Sequence, residues 1–371
     1  MADIDTAALK ANFAEVAGHG PDEVAQYFYG YLFLRYPETR EMFPPSMAKQ
    51  RDRLVGALVR IVTNVDNIGE LVPYLEDLGR DHRKFGTLAG HYPAVGEALV
   101  TTLRHFSGES WTDRLEADWS AAYGLVADTM STAAQKVDET EPAWWDADIT
   151  EVDLRTFDLA VLKVRTDTPH PYVAGQSLSV EPSTLRPREW RLYTPANAPG
   201  GLEIELHVKL IDGGPVSTAL VRSAAPGDKL RLGPPVGQMI LDESRRPLLL
   251  VAGSTGLAPM KSIIDQIARD GGRPTHLYFG ARSVREIYDR KDLELLAERY
   301  PWLTVVIAIS DDVRWKGPRG IIGQVVANAG GWASHDVMVC GSPAMVKFTV
   351  AKLIASGVPE NQIKFEDFGD A

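Results

Sequence analysis

The chain has a single cysteine, Cys340, in 371 residues. An intramolecular disulfide is therefore impossible, and so is a zinc or iron–sulfur centre held by several thiolates. No apolar run approaches the roughly 18 residues that span a membrane. The opening MADIDTAALKANFAEV lacks the basic and apolar regions of a secretory signal. Basic residues are in deficit: 39 Lys+Arg stand against 50 Asp+Glu, a formal net charge of -11. Such a surface repels phosphate backbones and anionic lipid, so nucleic acid and membrane are not the expected partners. Tandem repeats and low-complexity tracts are absent as well. With a 44% hydrophobic share, what remains is a cytoplasmic globular chain, long enough for two or three domains.

Three grammars follow one another along the chain. Helical periodicity runs over 5–17, 21–36, 47–64, 68–85, 92–106 and 111–136, broken by GHGP, FPPS and FSGES. Pro21 with Asp22 and Glu23 behind it reads as a helix start. DETEPAWWDAD then reads as an acidic linker. Alternating short strands follow (EVDLRTFDLAVLKV, SLSVEP, EWRLYT, LEIELHVKLI, DKLRLG), as in a small antiparallel barrel. From PLLLVAGSTGLAPMKSII the pattern is strand–turn–helix, with PTHLYFGA, LTVVIAIS and DVMVCGS as further buried strands of a parallel α/β sheet. The expected fold is all-α, then antiparallel β-barrel, then α/β.

In the helical part, Leu71, Leu75, Leu78, His82 and Phe85 occupy one helix face. A histidine on a buried stripe reads either as a hydrogen-bonded core residue or as a haem ligand. Tyr29, in the almost wholly apolar helix YFYGYLFLRYP, carries a hydroxyl that needs a partner. Gln50 opens the stripe Gln50, Leu54, Ala57, Leu58, Ile61, and Phe43 follows the Pro37 break. Singly, Tyr29 and Phe43 read as core aromatics and Gln50 as an exposed first-turn residue.

Taken together these segments resemble the globin domain of flavohaemoglobins over the first 137 residues. YFYGYLF is similar to the distal-tyrosine helix, GRDHRKFG to the proximal-histidine segment, and HYPAVGEALVTTLRHF to the helix after it. The resemblance implies that His82 ligates the iron of haem b. It also implies that Tyr29 and Gln50 line the distal pocket, Leu54 shapes it, Phe43 packs on the porphyrin, and Tyr92 orients His82. Two departures stand out. The family's last globin helix carries a glutamate that hydrogen-bonds the proximal histidine, and Ala134 stands there. The stretch from Phe43 to Gln50 is also shorter than in familiar members. Without the carboxylate, the His82 ring is expected to donate its N–H to a backbone carbonyl or a neutral side chain.

RLYT, at Arg191–Thr194, resembles the flavin signature of ferredoxin reductases. A guanidinium suits a pyrophosphate, Tyr193 suits stacking on the isoalloxazine, and Thr194 suits a hydrogen bond to flavin N5. GGPVSTALVRSAAPGD follows, its Gly213 and Gly214 turning the chain. Ser217 and Thr218, with Val216 before them, open a short helix whose free N–H groups suit the FAD pyrophosphate; a plain hairpin and helix cap is the alternative. VAGSTGLAPM follows a strand and precedes a helix, the context of a dinucleotide site. Its Gly253, Thr255, Gly256 and Pro259 are similar to the nicotinamide-nucleotide loop of the same reductases. By that similarity, Arg282 of YFGARS meets the adenosine ribose or its 2′-phosphate. Cys340 and Gly341 of VCGSPAMV lie near the nicotinamide, and Glu366 and Phe368 of FEDF near the flavin. Cys340 reads equally as an inert buried thiol. Ser177 in AGQSLSV replaces an aromatic of many flavohaemoglobins, which removes one flavin contact.

The resemblance implies a globin domain over 1–138, an FAD-binding barrel over 149–242 and an NAD(P)-binding α/β domain over 243–371. It further implies NAD(P)H-dependent nitric oxide dioxygenation through FAD and haem, with O2, NO and NAD(P)H as small-molecule partners. Two alternatives stay open: a haem O2 carrier or redox sensor with its own reductase, and an oxidoreductase that uses haem as relay to another acceptor.

Overall fold

A computed structural model describes residues 4–138, 140–185 and 189–367, divided into two compact units, Met1–Trp144 and Trp145–Ala371. The first unit is helical: α1 (Thr6–Ala17), α2 (Pro21–Arg35), α3 (Ala48–Thr63), α4 (Ile68–His82), α5 (Tyr92–Ser107) and α6 (Asp113–Asp138). All six helices stand where the periodicity places them. The Asp5 carboxylate caps α1 by accepting the Ala8 N–H at 2.9 Å. Pro21 opens α2 with Asp22 and Glu23 in its first turn. The one sizeable difference lies at the end of α4, which stops at His82 and tightens into a 3-10 turn over Arg83–Phe85. Gly86 just beyond is left-handed (φ 73°), and Arg83 and Lys84 are drawn into ion pairs with Asp138 of α6 (2.6 Å) and Asp81 (2.5 Å).

The apolar side chains of this unit form two clusters rather than one. Tyr29, Phe28, Leu32 and Leu99 gather with Phe43, Leu54 and Leu58. Leu71, Leu75 and Met130 gather with Ile61, Leu78 and Tyr92. Buried polar groups tie α1, α5 and α6 together: Asn12 donates to Ser107 (2.7 Å) and accepts from the Trp119 indole (3.0 Å). Gly79 lets α4 cross α6, because a Cβ there would lie 2.2 Å from the Met130 carbonyl oxygen.

The second unit holds two sheets. Strands β1 (Trp145–Thr156), β2 (Leu159–Thr166), β3 (Ser177–Pro182), β4 (Arg191–Tyr193), β5 (Glu203–Lys209) and β6 (Lys229–Val236) form an antiparallel sheet in the order β4-β3-β6-β1-β2-β5. An antiparallel bridge between Pro195 and Leu206 joins its two edges, which closes the barrel. A correction concerns the acidic stretch read as a linker: from Trp145 onward it is strand, paired with β6. Trp145, Ala147 and Ile149 point into the barrel core, while Asp146 and Asp148 pair outside with Arg231 and Lys229. The short helix α7 (Pro215–Thr218) packs Val216 against that core.

The remaining elements are β7 (Leu248–Gly253), α8 (Leu257–Arg269), β8 (Thr275–Ala281), α9 (Arg290–Arg299), β9 (Leu303–Ile309), α10 (Ile322–Ala329), β10 (Asp336–Gly341), α11 (Pro343–Ala355) and β11 (Ile363–Asp367). The five strands are parallel in the order β11-β10-β7-β8-β9. Leu248, Leu250 and Ala252 face α8, and Leu249 and Val251 face the opposite core with Val346 and Leu353 of α11. Both faces are covered, which is why these strands read as continuous apolar runs. The strand order reverses between β7 and β10, the crevice where such sheets bind ligands.

Candidate functional site

His82 closes α4, and its Nδ1 lies 2.7 Å from the Leu78 carbonyl oxygen. A carbonyl only accepts, so Nδ1 carries the proton and Nε2 keeps a free lone pair. Desolvation pulls the ring's pKa down and holds it neutral. Among the described residues no group hydrogen-bonds Nε2. The orienting partner is thus the backbone carbonyl that the missing glutamate led us to expect. Tyr92 does not supply it: its ring packs against the cluster of Leu71, Leu75 and Met130, and its own carbonyl accepts the Tyr123 hydroxyl at 2.7 Å. Helix α4 touches α6 at Gly79–Met130, and the turn after it does so at Arg83–Asp138, so the segment with His82 runs beside the segment with Ala134. A glutamate restored there is expected to reach the ring. In the ferrous haem-loaded protein, the iron–histidine stretch is expected to lie lower than in glutamate-bearing relatives and to rise in Ala134→Glu. Resonance Raman measures it, and an unchanged frequency in the variant speaks against this register.

On the other cluster, Tyr29 is 5% exposed. The Gln50 amide donates to its hydroxyl at 3.2 Å, and Phe43 meets its ring edge-on at 5.4 Å. Leu54, one turn beyond Gln50, packs in the same cluster. Burial pushes the phenol up to about 12, so it holds its proton at neutral pH. No described group accepts that proton. A neutral imidazole with a free lone pair, a divided apolar core and an unspent phenol donor together fit a haem.

In the barrel, β3 and β4 pair Leu178 with Tyr193, which brings Ser177 beside Thr194. Their hydroxyls lie 2.8 Å apart, and Ser177 also reaches Glu366 Oε1 at 3.3 Å. Where an aromatic contact was expected to be lost, a hydroxyl bridge joins Thr194 to Glu366. Burial raises the pKa of the Glu366 carboxyl. Arg191 spends one N–H on the Trp190 carbonyl (2.7 Å). Gly214 is required because a Cβ there would come 2.7 Å from Ser217 Oγ, which itself accepts the Ile211 N–H at 3.1 Å. The helix starts at Pro215, not at Ser217; the Val216 and Ser217 side chains are buried, and Thr218 faces solvent. Phe368 lies outside the described residues.

At the switch point, Gly256 presses against β10. A Cβ on Gly256 would lie 2.3 Å from the Cys340 carbonyl oxygen, so only glycine permits the approach. Ser254, between Gly253 and Thr255, is the one non-glycine with positive φ (52°) among the described residues. Such strain concentrates at ligand sites. No signal in the residue types points to Ser254. Pro259 sits in the first turn of α8, where its missing N–H has no helical partner to lose. Cys340 is wholly buried, and desolvation pushes its thiol well up, so it stays protonated. Arg282 is exposed and lies 3.4 Å from the Glu286 carboxylate.

Comparison with known proteins agrees with this division. Residues 26–130 match the globin family, 146–240 the oxidoreductase FAD-binding domain, and 250–351 the oxidoreductase NAD-binding domain. The flavohemoprotein of Chromobacterium violaceum is 26% identical over 97% of this chain and 96% of its own. The ferredoxin–NAD(P)+ reductase component of the naphthalene 1,2-dioxygenase/salicylate 5-hydroxylase systems of a Ralstonia species is 31% identical over 59% of this chain and 67% of its own. The crystal structure of flavohemoglobin from Malassezia yamatoensis covers 98% of both chains with a TM-score of 0.82 at 19% identity, a likeness of fold. The chain belongs to the flavohaemoglobin family, as an NAD(P)H-dependent oxidoreductase that joins a haem-binding globin to FAD- and NAD(P)-binding domains.

Proposed function

We propose that this protein is a nitric oxide dioxygenase that converts NO and O2 to nitrate with electrons from NAD(P)H. The observation that supports it most is the distal pair: a buried tyrosine that keeps its proton, held by the Gln50 amide at 3.2 Å and surrounded by apolar rings. In this reading residues 1–138 form the globin domain, 149–242 the FAD domain and 243–371 the NAD(P) domain, in a cytoplasmic protein. Bound flavin supplies the conversion of a two-electron donor into single electrons for haem iron. The chain's residues do the rest. His82 offers Nε2 to the metal while the Leu78 carbonyl holds the ring. Tyr29 presents its O–H where negative charge gathers on a diatomic ligand, and Phe43 and Leu54 keep water away. Arg191, Tyr193, Thr194, Ser217 and Thr218 hold FAD, and the Gly253–Gly256 turn with Gly341 takes the nicotinamide nucleotide.

The test is aerobic NADH oxidation with and without NO, with nitrate quantified. NO is expected to accelerate NADH use and to appear as nitrate; nitrate no faster than the uncatalysed background overturns the reading. The neutral partner of His82 favours a second one, an O2 carrier kept ferrous by its reductase, in which NO raises NADH use only by the slow re-reduction of oxidised haem.

NADH is expected to be preferred over NADPH. A 2′-phosphate beside Arg282 would also meet the Glu286 carboxylate paired with it. A like-charge contact at that range costs about 1 kcal/mol in a solvated setting, or roughly fivefold. Glu286→Gln should narrow the preference by about that factor in kcat/KM for the two dinucleotides.

A further inference from the structure

One network of ion pairs in the second unit is built from residues outside both cofactor motifs. Lys261 lies on α8, one turn after the Gly253–Gly256 turn, with its side chain 11% exposed. Its ammonium lies 3.0 Å from Glu205 of β5 and 2.7 Å from Asp289, whose side chain is fully buried. Asp289 also meets Arg155 of β1 at 3.1 Å. Glu205 accepts from His207 Nε2 at 2.9 Å, and His207 Nδ1 lies 2.8 Å from the Tyr288 hydroxyl. Desolvation keeps His207 neutral and Tyr288 protonated. Tyr288 then donates to Nδ1, Nε2–H donates to Glu205, and Lys261 donates to Glu205 while its charge faces the Asp289 carboxylate. Asp292 of α9 meets both cations as well, 3.4 Å from Arg155 and 3.9 Å from Lys261, so the array ties α8, α9, β1 and β5 together.

Its position gives it consequence. The same side of α8 holds the chain that directly follows Arg191–Thr194. Ser262 donates to the Asn197 carbonyl (2.7 Å), and Asp265 accepts the Ala198 N–H (2.9 Å). Glu205 is bonded to that chain too, through its carbonyl to the Ala196 N–H (2.8 Å) and its own N–H to Asn197 Oδ1 (2.9 Å). Lys261 therefore links the helix that begins at the dinucleotide turn to the strand that backs the flavin segment.

We propose that Lys261, through Glu205 and Asp289, is a positioning residue that holds the nicotinamide-nucleotide turn in register with the flavin segment. It rests on the assignment of those two segments to the cofactors. A bound dinucleotide needs only its own turn, whereas transfer between two rings depends on their separation, where an error of about 1 Å can cost a hundredfold. Loss of Lys261 is thus expected in the transfer rate and not in binding.

The test uses the full FAD- and haem-loaded protein under anaerobic stopped flow with NADH. Lys261→Met should slow FAD reduction at saturating NADH by about tenfold or more. NAD+ affinity should change by less than about threefold, and hydrogen exchange at Ala196 and Ala198 should quicken. Lys261→Arg, which keeps the charge, should restore most of the rate. If Lys261→Met retains no FAD, Glu205→Gln, which leaves the Lys261–Asp289 pair in place, is held to the same readings. A wild-type reduction rate in the variant, or a loss confined to NAD+ affinity, overturns the proposal. Wild-type protein whose FAD is not reduced by NADH or NADPH overturns instead the cofactor assignment beneath it.

Discussion

His82→Ala should yield a folded protein that keeps its FAD and loses the normal Soret band. Among the described residues of the helical unit, this ring is the one whose tautomer is set with a lone pair to spare, because the Leu78 carbonyl claims the Nδ1 proton at 2.7 Å. Alanine removes that lone pair and leaves the α4 backbone intact, since the helix already ends at this residue. The flavin is bound in a separate compact unit and should be retained in full. Absorbance spectra and a flavin-to-protein ratio on the same preparation measure both halves. His91 is the nearest rival in sequence, but its Nδ1 is occupied in capping the Leu88 N–H at 3.1 Å. An unchanged haem spectrum in His82→Ala would overturn the assignment and point to His91.

Tyr29→Phe should speed O2 release by roughly tenfold to a hundredfold. A hydrogen bond to a partly charged acceptor in a dry pocket is worth about 1.5–3 kcal/mol, and each 1.4 kcal/mol is a factor of ten. Phenylalanine preserves the edge-on contacts with Phe43 and Phe28, so packing changes little and the hydroxyl alone is lost. The Gln50 amide then loses its acceptor. In a nitric oxide dioxygenase, turnover at low O2 should fall with the mutation while FAD reduction by NADH stays at the wild-type rate. An oxidoreductase that uses haem only as a relay would pass electrons to its acceptor unimpaired. Measuring O2 dissociation, FAD reduction and nitrate formation on one variant separates these outcomes.

Much of the architecture follows from local rules. Helix α2 starts at Pro21 because proline and two acids suit a first turn, and such signals act within a few residues of chain. The change from helical period to alternation to continuous apolar strands reports how many faces of each element are covered, so domain order was legible too. His82, Tyr29 and the Gly253–Gly256 turn stood out because each breaks the pattern around it. Tertiary structure alone decided which groups those residues meet. It gave His82 to the Leu78 carbonyl and left the Tyr92 hydroxyl without that role. It turned acidic residues after Trp144 into strand, because β6 offered pairing partners far along the chain. It also set Ser177 against Glu366, 189 residues apart, and Lys261 against Glu205, 56 apart. Composition and periodicity carry no information about such pairs, since a hydrogen bond requires two groups within about 3 Å and the chain between them is free to place them anywhere until the sheets form.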